Sequence, residues 1–237
     1  VDELVPYSTV PTAFGETAAE LVGGEAPPPF ATAQWRAPAA SAVPAVGDRC
    51  AVLHVGASSA LKLWPADRWR ALAAWLEARG LTVVWSAGPG EDAVLEAVDP
   101  GTTRLRIAGS LSLSQLWHLL ARARLLVCPD TGVAHLGRIV GVPTVTLYGP
   151  GSAAICGPGA FFARARCRAV TVDPFPCRDQ TVQFFREVPW ARRCERLPGA
   201  PPERCARALC MEAIGVAAAT GAIEDLGVVS SERGAAN

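Results

Sequence analysis

Lysine is all but absent: of 22 basic residues, 21 are arginine, and the exception is Lys62. The chain also lacks net charge, with 22 acidic residues against 22 basic ones. That balance gives no electrostatic footprint for a nucleic-acid partner. No apolar run reaches the ~18 residues of a membrane span. No basic n-region precedes an apolar h-region, so no signal peptide is read. Histidine occurs three times. Eight cysteines in 237 residues are too sparse for a disulfide scaffold and too many to ignore. What remains is half apolar, enough for one large domain, or one domain with additions. The chain opens on Val1 rather than Met, which predicts a processed or shortened piece of something longer. Arginine for lysine, with much Ala, Gly and Pro, fits a genome-wide bias, and against that bias a single lysine is a candidate functional residue.

Residues 1–48 are rich in Pro, Ala and Gly, as in "GGEAPPPFATAQWRAPAASAVPAVGD". They read as a linker or the tail of a preceding domain, with one short helix near Phe14 to Val22. From Arg49 the texture changes. "RCAVLHV" suits a buried parallel strand. In "PADRWRALAAWLEARG", Trp69, Leu72, Ala73 and Leu76 fall at i, i+3, i+4 and i+7, and Gly80 closes the helix. "LTVVWSAG", "TRLRIAG", "RLLVC" and "PTVTLYG" read as further strands, separated by helical "EDAVLEAV", "SLSLSQLWHLLARA" and "GVAHLGRIVG". Ser112 and Gln115 form a capping box, with Leu116, Leu119, Leu120 and Ala123 on one face. Strands alternating with helices predict an α/β fold, a Rossmann-like doubly wound parallel sheet over 49–175. Residues 176–237 form a Cys-rich segment with a closing helical region, and "RAVTV" offers one more strand. No internal repeat is present.

Ligands of such sheets bind at the carboxyl ends of the strands, and three polar features fall there. "PDTG" (Pro129 to Gly132) opens a helix. Its free N–H groups, a glycine that permits close approach, and the Thr131 hydroxyl suit an anion; Asp130 or Thr131 as an ordinary N-cap fits the same four residues. His135 follows one turn on, where it can meet a phosphate or a sugar hydroxyl, or serve as a structural histidine. His118 reads as a solvated helix position and His54 as part of an apolar strand. Lys62, after Ser58 and Ser59, brings a point charge to a hydroxyl-rich loop. That loop, "HVGASS", contains neither a phosphate-loop signature nor the dinucleotide glycine fingerprint. Glu91 in "SAGPGED" stands where doubly wound sheets place a ribose-binding carboxylate, or where a first-turn acid favours the helix dipole. Together the three features describe a pocket for a nucleotide diphosphate.

"HVGASSALKLWPADRWRALAAWLEARG", "GPGED" and "IAGSLSLSQLWHLLARARLLVCPDTGVAHLGRIVGVPTVTLYGP", in this order and spacing, resemble the donor-binding half of the family nine glycosyltransferases. These are the ADP-heptose-dependent heptosyltransferases of lipopolysaccharide synthesis and their relatives. The resemblance runs from about Arg49 to Pro158. It implies the C-terminal domain of a GT-B fold and inverting transfer of a heptose-like sugar from a nucleotide-diphosphate donor to a saccharide, lipid-linked or protein acceptor. It places Ser58, Ser59 and Lys62 on the diphosphate, Glu91 on the ribose, the backbone near Leu111 at the nucleobase, and Asp130, Thr131, Gly132 and His135 at the β-phosphate and sugar. No cofactor is needed for transfer. The family's acceptor domain comes first and supplies the catalytic carboxylate. The 48 residues before the first strand are too few for it, so no catalytic residue is expected in this chain. The resemblance also implies a cytoplasmic protein, peripheral at the inner membrane of a bacterium, and allows an oligomer.

Cys177, Cys194, Cys205 and Cys210 are spaced x16, x10 and x4. Four thiols can bind zinc or iron tetrahedrally, and some family relatives are similar in having a four-cysteine iron-binding finger; disulfides or plain thiols are the other readings. Cys50 and Cys128 read as core. The Arg- and aromatic-rich "RDQTVQFFREVPWARRCER" reads as a packed surface segment. Two rival functions fit the same pocket: a GT-B-fold epimerase acting on a UDP-sugar, and a non-catalytic nucleotide-binding or assembly module.

Overall fold

The structure, a computed structural model, describes residues 7–23, 27–183, 185–194, 205 and 207–229. Six parallel strands form one sheet: β1 (Cys50–His54), β2 (Thr82–Ala87), β3 (Leu105–Ala108), β4 (Leu125–Pro129), β5 (Thr144–Tyr148) and β6 (Cys167–Thr171). Their order is β3-β2-β1-β4-β5-β6, the doubly wound order, and it reverses direction between β1 and β4. A short antiparallel pair, β7 (Val182–Gln183) and β8 (Arg186–Glu187), stands apart from this sheet.

Burial follows strand position. β1, β4 and β5 are buried at every residue, whereas the edge strands β3 and β6 have half-buried and exposed positions. Central strands are covered on both faces, so each is a continuous apolar run. Alternate residues feed the two faces. Ala51 and Leu53 of β1 and Leu125 and Val127 of β4 enter one core; Cys50, Val52, Leu126 and Cys128 enter the other.

The first core is closed by α2 (Ala66–Glu77), α3 (Asp92–Val98), α7 (Leu209–Ala213) and α8 (Val216–Asp225). Trp69, Leu72, Ala73 and Leu76 of α2 are fully buried, the stripe read from the sequence. Past the end of α2, Gly80 turns into the left-handed region at φ 75° and donates its N–H to the Glu77 carbonyl, as a helix-terminating glycine does. The closing helices join this same core through Met211, Ile214, Ala219 and Ile223. Trp64 and Arg68 both donate to the Ile214 carbonyl. The second core lies under α4 (Leu113–Arg122) and α5 (Gly132–Val140). The capping box at the head of α4 is formed: Ser112 Oγ accepts from the Gln115 N–H at 3.2 Å, and Gln115 Oε1 accepts from the Ser112 N–H at 2.9 Å. A single turn, α6 (Ala153–Cys156), follows β5.

The N-terminal segment contains α1 (Phe14–Leu21), and much of it lies against the sheet domain. The Gln115 amide donates to the Ser41 carbonyl, and His118 Nε2 donates to the Pro38 carbonyl at 2.7 Å. His118 is therefore half-buried and engaged rather than simply solvated. Phe30 packs on Phe161 and Phe162. No helix among the described residues is long and apolar enough to cross a membrane.

Candidate functional site

A cleft of ≈ 890 Å³ opens at the carboxyl ends of β1 to β4, beside the point where the strand order reverses. Eight of the nine donor-site residues expected from the sequence line it: Ser58, Lys62, Glu91, Leu111, Asp130, Thr131, Gly132 and His135. The ninth, Ser59, faces a smaller neighbouring cavity. Its hydroxyl accepts from the Leu61 N–H at 3.3 Å and so caps the short 3-10 turn Ala60–Lys62.

That turn carries Lys62 across the cleft mouth. Lys62 Nζ donates to the Asp130 carbonyl at 2.7 Å and to its carboxylate at 3.1 Å. An ammonium has three N–H groups, so the third remains for an anion. Asp130 is only 7% exposed, and a Cβ on Gly151 would sit 2.5 Å from its Oδ2. The glycine is what lets this carboxylate lie so close to the backbone.

Thr131 is the N-cap residue of α5 by backbone position, with φ −139° and ψ 172°. No side chain caps the helix, however, and Thr131 Oγ1 is buried with no hydrogen-bond partner among the described residues. The first turn of α5, Gly132 and Val133, thus borders the cleft beside Lys62. Amides with no intrahelical partner and the positive end of the helix dipole suit a phosphate.

Glu91 heads α3, but its side chain turns away from the helix. Its Oε2 accepts from the Gly88 N–H at 2.5 Å and lies 1.7 Å from where a Cβ on Gly56 would be. Gly56, the glycine of "HVGASS", makes the seat that brings this carboxylate into the cleft. Ile107, Leu111, Leu113 and Leu116 supply an apolar wall.

Three residues of the site were not singled out from the sequence. His54 closes β1, lines the cleft, and pairs Nδ1 with Ser86 Oγ at 3.1 Å across to β2. Burial lowers its pKa to about 4, so it is a neutral ring in the floor. The β1–β2 register that sets His54 opposite Ser86 was the missing information. The third is Arg138, 3% exposed on α5. It binds His135 Nδ1 at 3.2 Å, the Cys156 carbonyl at 3.1 Å and Tyr148 Oη at 2.9 Å. Its signal was present: Arg138 follows Ala134 by four residues and Gly137 by one, on the face those small residues turn to the sheet.

Among the described residues, no group of three or more His, Cys, Asp or Glu side chains is arranged to hold a metal ion. The iron or zinc site read from Cys177, Cys194, Cys205 and Cys210 has no support from the described residues. Cys210 is a core thiol beside Met211, packed over Gly149. Burial first, then the nearby Cys177 and Cys194, push its pKa up to about 11. Cys50 and Cys128 are buried in β1 and β4, as expected.

The family model described as Glycosyltransferase family 9 (heptosyltransferase) matches residues 15–184. Lipopolysaccharide heptosyltransferase 1 of Pseudomonas aeruginosa is 36% identical over 128 residues, which are 53% of this chain and 34% of that protein. Its namesake from Salmonella typhimurium is 32% identical over 115 residues, covering 48% of this chain and 36% of that one. Among solved structures, E. coli ADP-heptose lps heptosyltransferase II superimposes with a TM-score of 0.55 at 20% identity, over 76% of this chain and 47% of that chain; this likeness is one of fold. The chain spans about a third of the length of the curated relatives it matches. With the family model covering well over half of its residues, the chain belongs to glycosyltransferase family 9, the heptosyltransferase family.

Proposed function

We propose that this chain carries the donor-binding half of an inverting heptosyltransferase and takes a nucleoside-diphosphate sugar, ADP-heptose or a close analogue, into the cleft above β1 to β4. The observation that carries the reading is the uncapped N-terminus of α5 facing the spare proton of Lys62. The diphosphate lies between Gly132, Lys62 and Ser58. Glu91 accepts from the ribose hydroxyls, and the base rests on the wall around Leu111. The sugar lies toward Asp130, Thr131 and His135. The family membership and the ADP-heptose in the name of the E. coli relative favour this donor.

In an inverting displacement an acceptor oxygen bonds to the anomeric carbon as the bond to the β-phosphate oxygen breaks. Negative charge then grows on the departing diphosphate. Fixed N–H dipoles and one ammonium proton, already oriented, stabilise that charge without reorganising. Asp130 consumes two of the Lys62 protons and holds the ammonium in place, so the lysine is aimed before the ligand arrives. The catalytic base belongs to a preceding acceptor domain, and the acceptor is a lipopolysaccharide-type saccharide or a protein.

Thermal shift with ADP-, GDP- and UDP-sugars tests the donor, with the ADP-sugar expected to give the largest stabilisation. Lys62→Ala is expected to weaken ADP binding by about 1.5–3 kcal/mol, the range for a hydrogen bond to a charged group. Unchanged ADP affinity in calorimetry removes the phosphate role.

A further inference from the structure

We infer that Arg138 is a positioning residue that locks the His135 ring in one tautomer, with Nδ1 accepting and the proton on Nε2, so that the ring meets the cleft as a neutral donor. A guanidinium has only donors. With Arg138 Nη1 3.2 Å from His135 Nδ1, that nitrogen must accept, and the ring's only N–H is then at Nε2.

The lock is rigid because Arg138 is itself held. Its two terminal nitrogens bind the Cys156 carbonyl and Tyr148 Oη, and Tyr148 Oη donates in turn to the same carbonyl at 3.2 Å. Arg138 is 3% exposed, and among the described residues its Nε has no hydrogen-bond partner. Among the described residues no carboxylate forms an ion pair with it, and its charge acts on the ring beside it. His135 and Cys156 line both the main cleft and a second cavity of ≈ 450 Å³ behind α5. Arg138 lines only the second. It acts on the donor site from behind, through the histidine.

The groups facing His135 favour the neutral ring. Burial and Arg138 lower its pKa, Lys62 lowers it further, and only Asp130 raises it. Glu16 of α1 faces the rear cavity and is engaged with the Ala13 and Ala160 N–H groups. Burial keeps Tyr148 and Cys156 protonated. His135 is therefore not the cation of the site; it donates one hydrogen bond to an oxygen of the ligand.

The inference rests on the donor-site reading only where it concerns the ligand; the tautomer is a property of the free chain. Imidazole nitrogen NMR on the ligand-free 237-residue chain reads it directly, the three histidines being assigned by single substitutions. The expected result is a His135 ring protonated on Nε2 alone at neutral pH; a ring protonated on Nδ1, or an imidazolium, overturns the proposal. In Arg138→Met the ring is expected to populate both tautomers and its titration midpoint to move upward. Arg138→Lys, which retains a cation, gives the same readouts with a smaller change if the Met variant does not fold. ADP affinity is expected to fall roughly three- to tenfold in Arg138→Met, the loss of one oriented hydrogen bond. A freed ring with unchanged ADP affinity overturns the positioning role. Failure of the unsubstituted chain to bind any nucleoside diphosphate, with the tautomer locked, instead overturns the donor-site reading.

Discussion

His54 shows how one position in a strand acquires chemistry from its neighbours. In sequence it continues an apolar run. In the sheet it stands at the carboxyl end of β1, with Ser86 beside it and the cleft above. Burial lowers its pKa to about 4 from 6.5. Between those values the unfolded chain takes up a proton that the folded chain refuses, so stability falls as pH drops through that window. The full loss is about 3 kcal/mol by linkage, and below about pH 4 this residue adds nothing more. His54→Asn, which keeps a polar atom near the Nδ1 position, is expected to flatten that part of the pH dependence. Denaturant titrations at pH 7 and pH 4.5 measure it, and an unchanged slope would show that His54 is protonated in the native state.

The loop after β1 and the head of α3 work as one element. Gly56 leaves the space that the Glu91 carboxylate fills, and the Gly88 N–H holds it there. Gly56 does not have a positive φ, so alanine fits the backbone. Its Cβ would still occupy the position of Glu91 Oε2, and the end of the glutamate would swing away. Gly56→Ala and Glu91→Ala are each expected to weaken nucleotide binding by about 1.5–3 kcal/mol. The double variant should lose no more than either single one, because both remove the same interaction. Additive losses in calorimetry would mean that Gly56 and Glu91 act separately. At α5, a Cβ on Gly137 would meet Leu126 Cδ2 and Thr144 Oγ1 at 2.7 Å. The helix therefore lies close on β4 and β5, which carries its open N-terminus down to the cleft beside Lys62.

At the scale of the whole molecule, the sheet domain presents a cleft of ≈ 890 Å³ at its switch point. The chain by itself is expected to bind an ADP-sugar and to leave it intact in the presence of acceptor. Transfer detected by mass spectrometry with this chain alone would place a catalytic carboxylate within it. Much of this was legible in the residues. The helical stripe of α2, the capping box of α4 and the strand runs are local patterns, set by side-chain periodicity along a few turns or pleats. The "PDTG" and Lys62 features were legible as types, because few residues suit an anion.

What the sequence determined by itself was the succession of strands and helices, since burial on one face forces a period that can be read residue by residue. What only the tertiary structure decided was which of the polar residues meet. Thr131 could have capped α5 with its hydroxyl, and it does not. Arg138 could have been a surface charge, and it instead lies under the helix against His135 and Tyr148. Ser59 was expected in the cleft, and it caps its own turn. Each outcome depends on strand order and on packing between elements far apart in the chain, such as the 68 residues between Lys62 and Asp130. No local period encodes that adjacency; the closing of the two cores on either side of the sheet imposes it.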